Sequence, residues 1–109
     1  MVNKTFLVST TEEIPGKKIK EVLGVCKGST VRSRNIALDI GAAFKNVVGG
    51  EIKTYTDMAN AAREEAYNRM VNQAIDKGAN AIICMRFSTS MIMQGAAEMI
   101  AYGTAVKLT

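Results

Sequence analysis

Apolar positions along this chain switch their period twice, and the switches predict the elements. Phe6-Leu7-Val8 reads as a short first strand, and Ser9-Thr10-Thr11-Glu12 with Pro15-Gly16 marks the turn that follows. From Lys18 to about Arg34 the pattern is strand-like. Ile19, Leu23 and Val25 share one parity, while Val22 and Cys26 share the other. An apolar middle on both parities predicts cover on both faces there. Gly28-Ser29 leaves two readings open, one long strand or two short ones joined by a bend or hairpin.

The period then becomes helical. Ile36, Ile40, Phe44 and Val47 recur at helix spacing after Asn35, a residue suited to an N-cap, and Gly49-Gly50 ends or kinks this segment. Two successive glycines cost a helix roughly 2 kcal/mol. A longer helix is predicted from near Thr56 to Lys77. Met58, Ala62, Ala66, Met70 and Ala74 form an unbroken i+4 ridge, flanked by Tyr67, Val71 and Ile75. The alanines allow a close approach to a sheet. Thr54 with Asp57 reads as a capping pair, Glu65 and Arg69 stand at i,i+4 with the acid first, and Gly78 suits the left-handed closure of the helix.

Strand periodicity returns at Ala79. Through Thr89, Ile83, Met85 and Phe87 alternate against Ile82, Cys84 and Arg86. A last strand runs from Met99 to Leu108. It carries Ile100, Tyr102, Thr104, Val106 and Leu108 on one face and the small residues Ala101, Gly103 and Ala105, with Met99, on the other. Ser88 to Ala97 reads as a connection longer than a tight hairpin. The order of strands, helices, strands predicts an α+β domain, with two helices against one face of a small antiparallel-rich sheet.

Composition narrows the chemistry. The chain of 109 residues fits one domain spanning 1–109, and 48% apolar residues supply a core. No apolar run is long enough to span a membrane, and the first residues lack the apolar stretch of a signal peptide, so the expected location is cytoplasmic, with no membrane partner. Cys26 and Cys84 are then expected as thiols. Histidine is absent, which removes Ser-His-Asp and Cys-His catalysis. Net charge is +4, and the cations between Lys17 and Arg34 have no aromatic residue among them, so no nucleic-acid partner is expected. Carboxylate pairs and glycine runs match neither a catalytic dyad nor a nucleotide loop, and no catalytic residue is assigned.

Several stretches together resemble the YbjQ-like family, small proteins of unknown function to which heavy-metal binding is ascribed. They are Val8-Ser9-Thr10-Thr11, Ile19 to Val25, Asn46 to Lys53, Ala62 to Ala66, Gly78 to Ile82 and Tyr102 to Val106, in the family's order and across almost the whole chain. The resemblance implies an α+β subunit that assembles into a ring-like homopentamer, so the expected partner is the chain itself. It implies no reaction and fixes no metal ligands. Where family members commonly carry small aliphatic residues this chain has Cys26 and Cys84, so neither thiol is a family-wide ligand.

Sulfur is the chemistry that remains. Cys84, Met85, Met91 and Met93 concentrate thiolate and thioether donors, the ligand types that select soft metal ions, and no other cofactor is expected. The same residues are what irregular cores and interfaces use, and both readings stay open. Arg86, Ser88, Gln94 and Glu98 form a second candidate set, for a polar ligand near a subunit junction. The functional expectation is a non-enzymatic oligomeric binding protein for a soft heavy-metal ion. Its alternative is a scaffold ring whose clefts or pore hold a small ligand or a partner protein.

Overall fold

A computed structural model describes residues 6–32, 51–93 and 96–109. The helix expected over Ile36 to Val48 lies outside those residues. The rest comprises β1 (Leu7–Val8), β2 (Ile19–Arg32), α1 (Glu51–Asp76), β3 (Ala81–Met93) and β4 (Ala96–Leu108). The sheet order is β1-β3-β4-β2. Antiparallel pairings join β2 to β4 and β4 to β3, and β1 adds to β3 in parallel, so the sheet is mixed.

One helix, α1, lies against one face. Its ridge is the one the i+4 spacing predicts: Ala62, Ala66, Met70 and Ala74 are buried, with Val71 beside them. Ala66, Met70, Val71 and Ala74 pack against Cys26 of β2, Ile82 and Met85 of β3, and Ala101 and Ala105 of β4. The small-residue face of β4 therefore receives the helix, as its sequence implies. Gly78, with φ +89°, closes α1 in the left-handed conformation.

Three expectations are corrected, and one open reading is settled. The helix begins at Glu51, so Thr54 falls within its first turns and does not precede them. Glutamate and lysine are good helix formers, so Glu51-Ile52-Lys53 carries the helix upstream of the expected capping pair. The segment from Lys18 is a single strand that runs through Gly28-Ser29 without a change of register. Cover on both faces of its middle is absent among the described residues: Val22 is 63% and Val25 67% exposed. Bulges at Ile19/Glu21 and Val22/Gly24 shift the parity there and turn these valines away from the helix. Finally, Ser88 to Ala97 is mostly ladder, with β3 reaching Met93 and β4 starting at Ala96. Cross-strand pairing overrides the polar composition of Ser88-Thr89-Ser90.

Gly28 sets how closely the layers approach. A Cβ at this position would stand 2.3 Å from the Ala66 carbonyl oxygen and 2.3 Å from the Met70 nitrogen, both helix backbone. Backbone cannot turn aside as a side chain can, so Gly28→Ala must lift α1 from the sheet. The expected destabilisation is about 3 kcal/mol, read as a lower urea midpoint at unchanged slope.

Candidate functional site

The site residues proposed from sequence are distributed by one local event on β3. Cys84 has φ +55°, a left-handed conformation rare for a residue with a Cβ, and the register slips between Ile83/Arg86. Three steps on β3, from Ile83 to Arg86, match two on β4, from Thr104 to Tyr102. Cys84 is thus the extra residue of a bulge. The alternation expected across Ala79–Thr89 is corrected accordingly. Ile82 and Met85 both enter the core beneath α1, while Ile83 joins the cluster of Ala81, Val106, Ile14 and Leu108 on the opposite face. An inserted residue inverts the parity of everything after it.

The loop between β1 and β2 holds this bulge in place. The Cys84 N–H donates to the Thr11 carbonyl at 3.1 Å, and the Met85 N–H donates to the Ser9 carbonyl at 3.0 Å. The loop is braced in turn by its own hydroxyls. Thr11 Oγ1 donates to the Glu13 carbonyl at 2.7 Å, and Ser9 Oγ accepts the Thr11 N–H at 3.0 Å. The part played by Ser9, Thr10 and Thr11 was missed from sequence. The available signal was the run of three hydroxyl residues directly after a strand, a composition that bonds to nearby backbone.

Arg86 extends the same attachment. Its Nη1 donates to the Thr10 carbonyl at 3.1 Å and to the Met85 carbonyl at 2.8 Å. Register aligns Arg86, Tyr102 and Lys27 in one row across β3, β4 and β2, on the face away from the helix. The next rows are Ser88–Ile100–Ser29 and Ser90–Glu98–Val31. The structure therefore brings Arg86, Ser88 and Glu98 onto one sheet face, left uncovered among the described residues. Ser88 and Glu98 are diagonal neighbours about 7–8 Å apart. Arg86 and Glu98 stand four residues apart along the ladder, about 13 Å. Gln94 lies outside the described residues.

The sulfur set is not gathered in the same way. Met85 is buried in the core and Cys84 is half-buried, packed against the opposite-face cluster. Met91 is 76% exposed near the far end of β3. Cys84 and Met91 are separated by about 20 Å of extended strand. Met93 ends the strand, and its side chain lies outside the described residues. Met99, a further sulfur of the C-terminal third, is a diagonal neighbour of Met91 and accepts a hydrogen bond from Thr89 Oγ1 at its sulfur, 3.3 Å away. Among the described residues, no cluster of three His, Cys, Asp or Glu side chains is arranged to hold a metal ion.

Geometry and fold together define an α+β domain in which, among the described residues, one face of the sheet is covered by a helix and the other is largely open. Comparison with known proteins supplies the family. Residues 6–109 match the YbjQ family profile described as "Putative heavy-metal-binding", and the chain belongs to this family. It is 56% identical over 103 residues to a UPF0145 protein of Clostridioides difficile, covering 94% of this chain and 92% of that one. A UPF0145 protein of Archaeoglobus fulgidus is 50% identical over 107 residues, covering 98% and 99%. A crystal structure of a protein of unknown function from Pediococcus pentosaceus, assigned to the DUF74 family, shares the fold. Its TM-score is 0.62 at 16% identity, covering 95% of this chain and 98% of that chain. None of these names carries an enzymatic activity. Among the described residues, no helix is long and apolar enough to cross a membrane.

The two thiols differ in a way that can be measured. Burial pushes the Cys26 thiol above its ordinary value, against smaller opposing effects of its hydrogen bonds and of Lys77. The native state therefore holds this proton where the unfolded chain releases it. The associated stability is fully present below the unfolded thiol value and is lost as pH rises from there through the folded value. Urea titrations at pH 8 and above are expected to show a falling midpoint that flattens in Cys26→Ala. Native alkylation is expected to modify Cys84 and spare Cys26.

Proposed function

We propose that this protein is a non-enzymatic binding subunit of a ring-like homo-oligomer, a pentamer in the form the family resemblance implies. One observation carries the reading: α1 covers one face of a sheet with long strands, while the other keeps Val22, Val25 and Val31 more than half exposed. These valines lie along a single strand, β2, with Tyr102 of β4 beside them. Aligned apolar residues of this kind are the mark of a surface that meets a partner. Shape supports the same reading. The radius of gyration is 16.9 Å, against about 13 Å for a compact chain of this length.

The heavy-metal description enters through that assembly. One chain cannot bring Cys84 and Met91 to one ion across about 20 Å. A ring repeats each of them around its axis, so that several copies of one sulfur converge where a single subunit has one. Soft ions such as Cu(I) suit thiolate and thioether donors. The scaffold alternative uses the open sheet face that Arg86, Ser88 and Glu98 share, and needs no metal.

Two measurements test this. Val25→Asp with Val31→Asp places charges on the apolar strand and is expected to raise the dissociation constant of the assembly at least about 100-fold, seen as smaller species in sedimentation. A parent protein that is monomeric at micromolar concentration removes the ring. Native mass spectrometry with added Cu(I) is expected to show uptake in fixed ratio to subunits, lost in Cys84→Ser or in Met91→Leu according to which sulfur faces the shared site. Uptake unchanged in both variants removes the metal reading and leaves the scaffold.

A further inference from the structure

Among the described residues, the order β1-β3-β4-β2 leaves β2 with a strand neighbour on one side only. In an antiparallel pair, residues that bond to the neighbour alternate with residues whose N–H and C=O point outward. Lys27 and Ser29 are of the outward kind, and α1 supplies partners for both. The Lys27 N–H donates to Gln73 Oε1 at 2.8 Å, and the Ser29 carbonyl accepts from Arg69 Nη1. Arg69 is itself held by an ion pair with Glu65. Glu65, Arg69 and Gln73 are spaced by four, so they form one row along the helix, directly above the outer edge of β2. Gly28, between the two bonded residues, lets the helix come close enough for this reach. The row borders an open cleft of about 410 Å³ that Lys27, Ser29, Glu98 and Ile100 also line.

The edge beneath this row is hazardous. It is long, and it carries the exposed valines Val22, Val25 and Val31. An exposed, apolar edge strand invites another chain to add a strand, and each addition exposes a new edge.

We propose that the Glu65–Arg69–Gln73 row is an edge guard. It occupies the hydrogen-bonding positions that a strand from a second copy of this chain would need, and so confines self-association to closed contacts. With the Lys27 N–H and the Ser29 carbonyl taken, an added strand finds only interrupted pairing along β2. The guard deepens the oligomer reading above by separating two ways copies can meet. The apolar face remains available for a closed assembly, while the strand edge does not.

The test uses the full chain. It compares the parent with Arg69→Ala/Gln73→Ala and with Gln73→Glu, which keeps an acceptor for the Lys27 N–H. Hydrogen exchange reads the guard, and light scattering with thioflavin T fluorescence reads the consequence. In the double variant the Lys27 amide is expected to exchange roughly fivefold faster, one net hydrogen bond's worth. Its particle size is expected to grow on incubation, with a thioflavin signal. Gln73→Glu is expected to keep the parental size. If the double variant does not fold, Gln73→Ala replaces it and is read in the same two ways. Unchanged exchange at Lys27 overturns the guard. So does faster exchange with a stable parental size, and so does growth in Gln73→Glu equal to that of the alanine variant. Each result is scored against the parent, so a monomeric parent removes the ring and leaves this comparison intact.

Discussion

The close approach of α1 to β2 at Gly28 is the constraint on which the rest of the structure depends. A side chain at that position would occupy the space of the Ala66 carbonyl and the Met70 amide. Its absence lets the alanine ridge of the helix sit directly on the sheet and bury Cys26, Ala101 and Ala105. The same closeness places Gln73 and Arg69 within hydrogen-bonding distance of the strand's outer backbone. Packing and edge protection thus follow from one missing methyl group.

That arrangement also decides what is left over. Among the described residues, one helix rich in alanine covers one face of the sheet and not the other. The opposite face is closed only at one end, where Ile14 of the β1–β2 loop packs near Ala81, Ile83 and Val106. Beyond it, valines of β2 and the row Lys27–Tyr102–Arg86 stand open among the described residues. Burial of apolar area is the main favourable term in both folding and association. Among the described residues, burial of the sheet is complete on the helix side and partial on the other. The Cys84 bulge anchors the loop at the closed end, where the Cys84 and Met85 N–H groups donate to the Thr11 and Ser9 carbonyls.

Much of the fold was legible in the sequence, and the reason is visible in particular residues. The i+4 run of Ala62, Ala66, Met70 and Ala74 states a helix face without reference to anything distant. Gly78 states its end. The alternation of Met99, Ala101, Gly103 and Ala105 against Ile100, Tyr102 and Thr104 survives intact because β4 pairs on both sides, with no inserted residue in it. The candidate site was less legible. Cys84, Met85 and Met91 are neighbours in sequence, yet a strand spreads them along its length and a bulge turns Met85 into the core. Arg86, Ser88 and Glu98 fared better, because their two strands form a hairpin ladder and bring that set onto one face.

Local periodicity, small-residue faces, glycine stops and the family motifs were determined by the sequence alone, since each depends on residues within a few positions of one another. Tertiary structure decided the length of the β3–β4 ladder, the insertion at Cys84, the parallel addition of β1, the pairing of helix side chains with the edge of β2 and the separation of the sulfur atoms. All of these are set by which distant segments pair and in what register. A one-residue slip in that register reverses which side chains face the core, and no window of neighbouring residues contains that information.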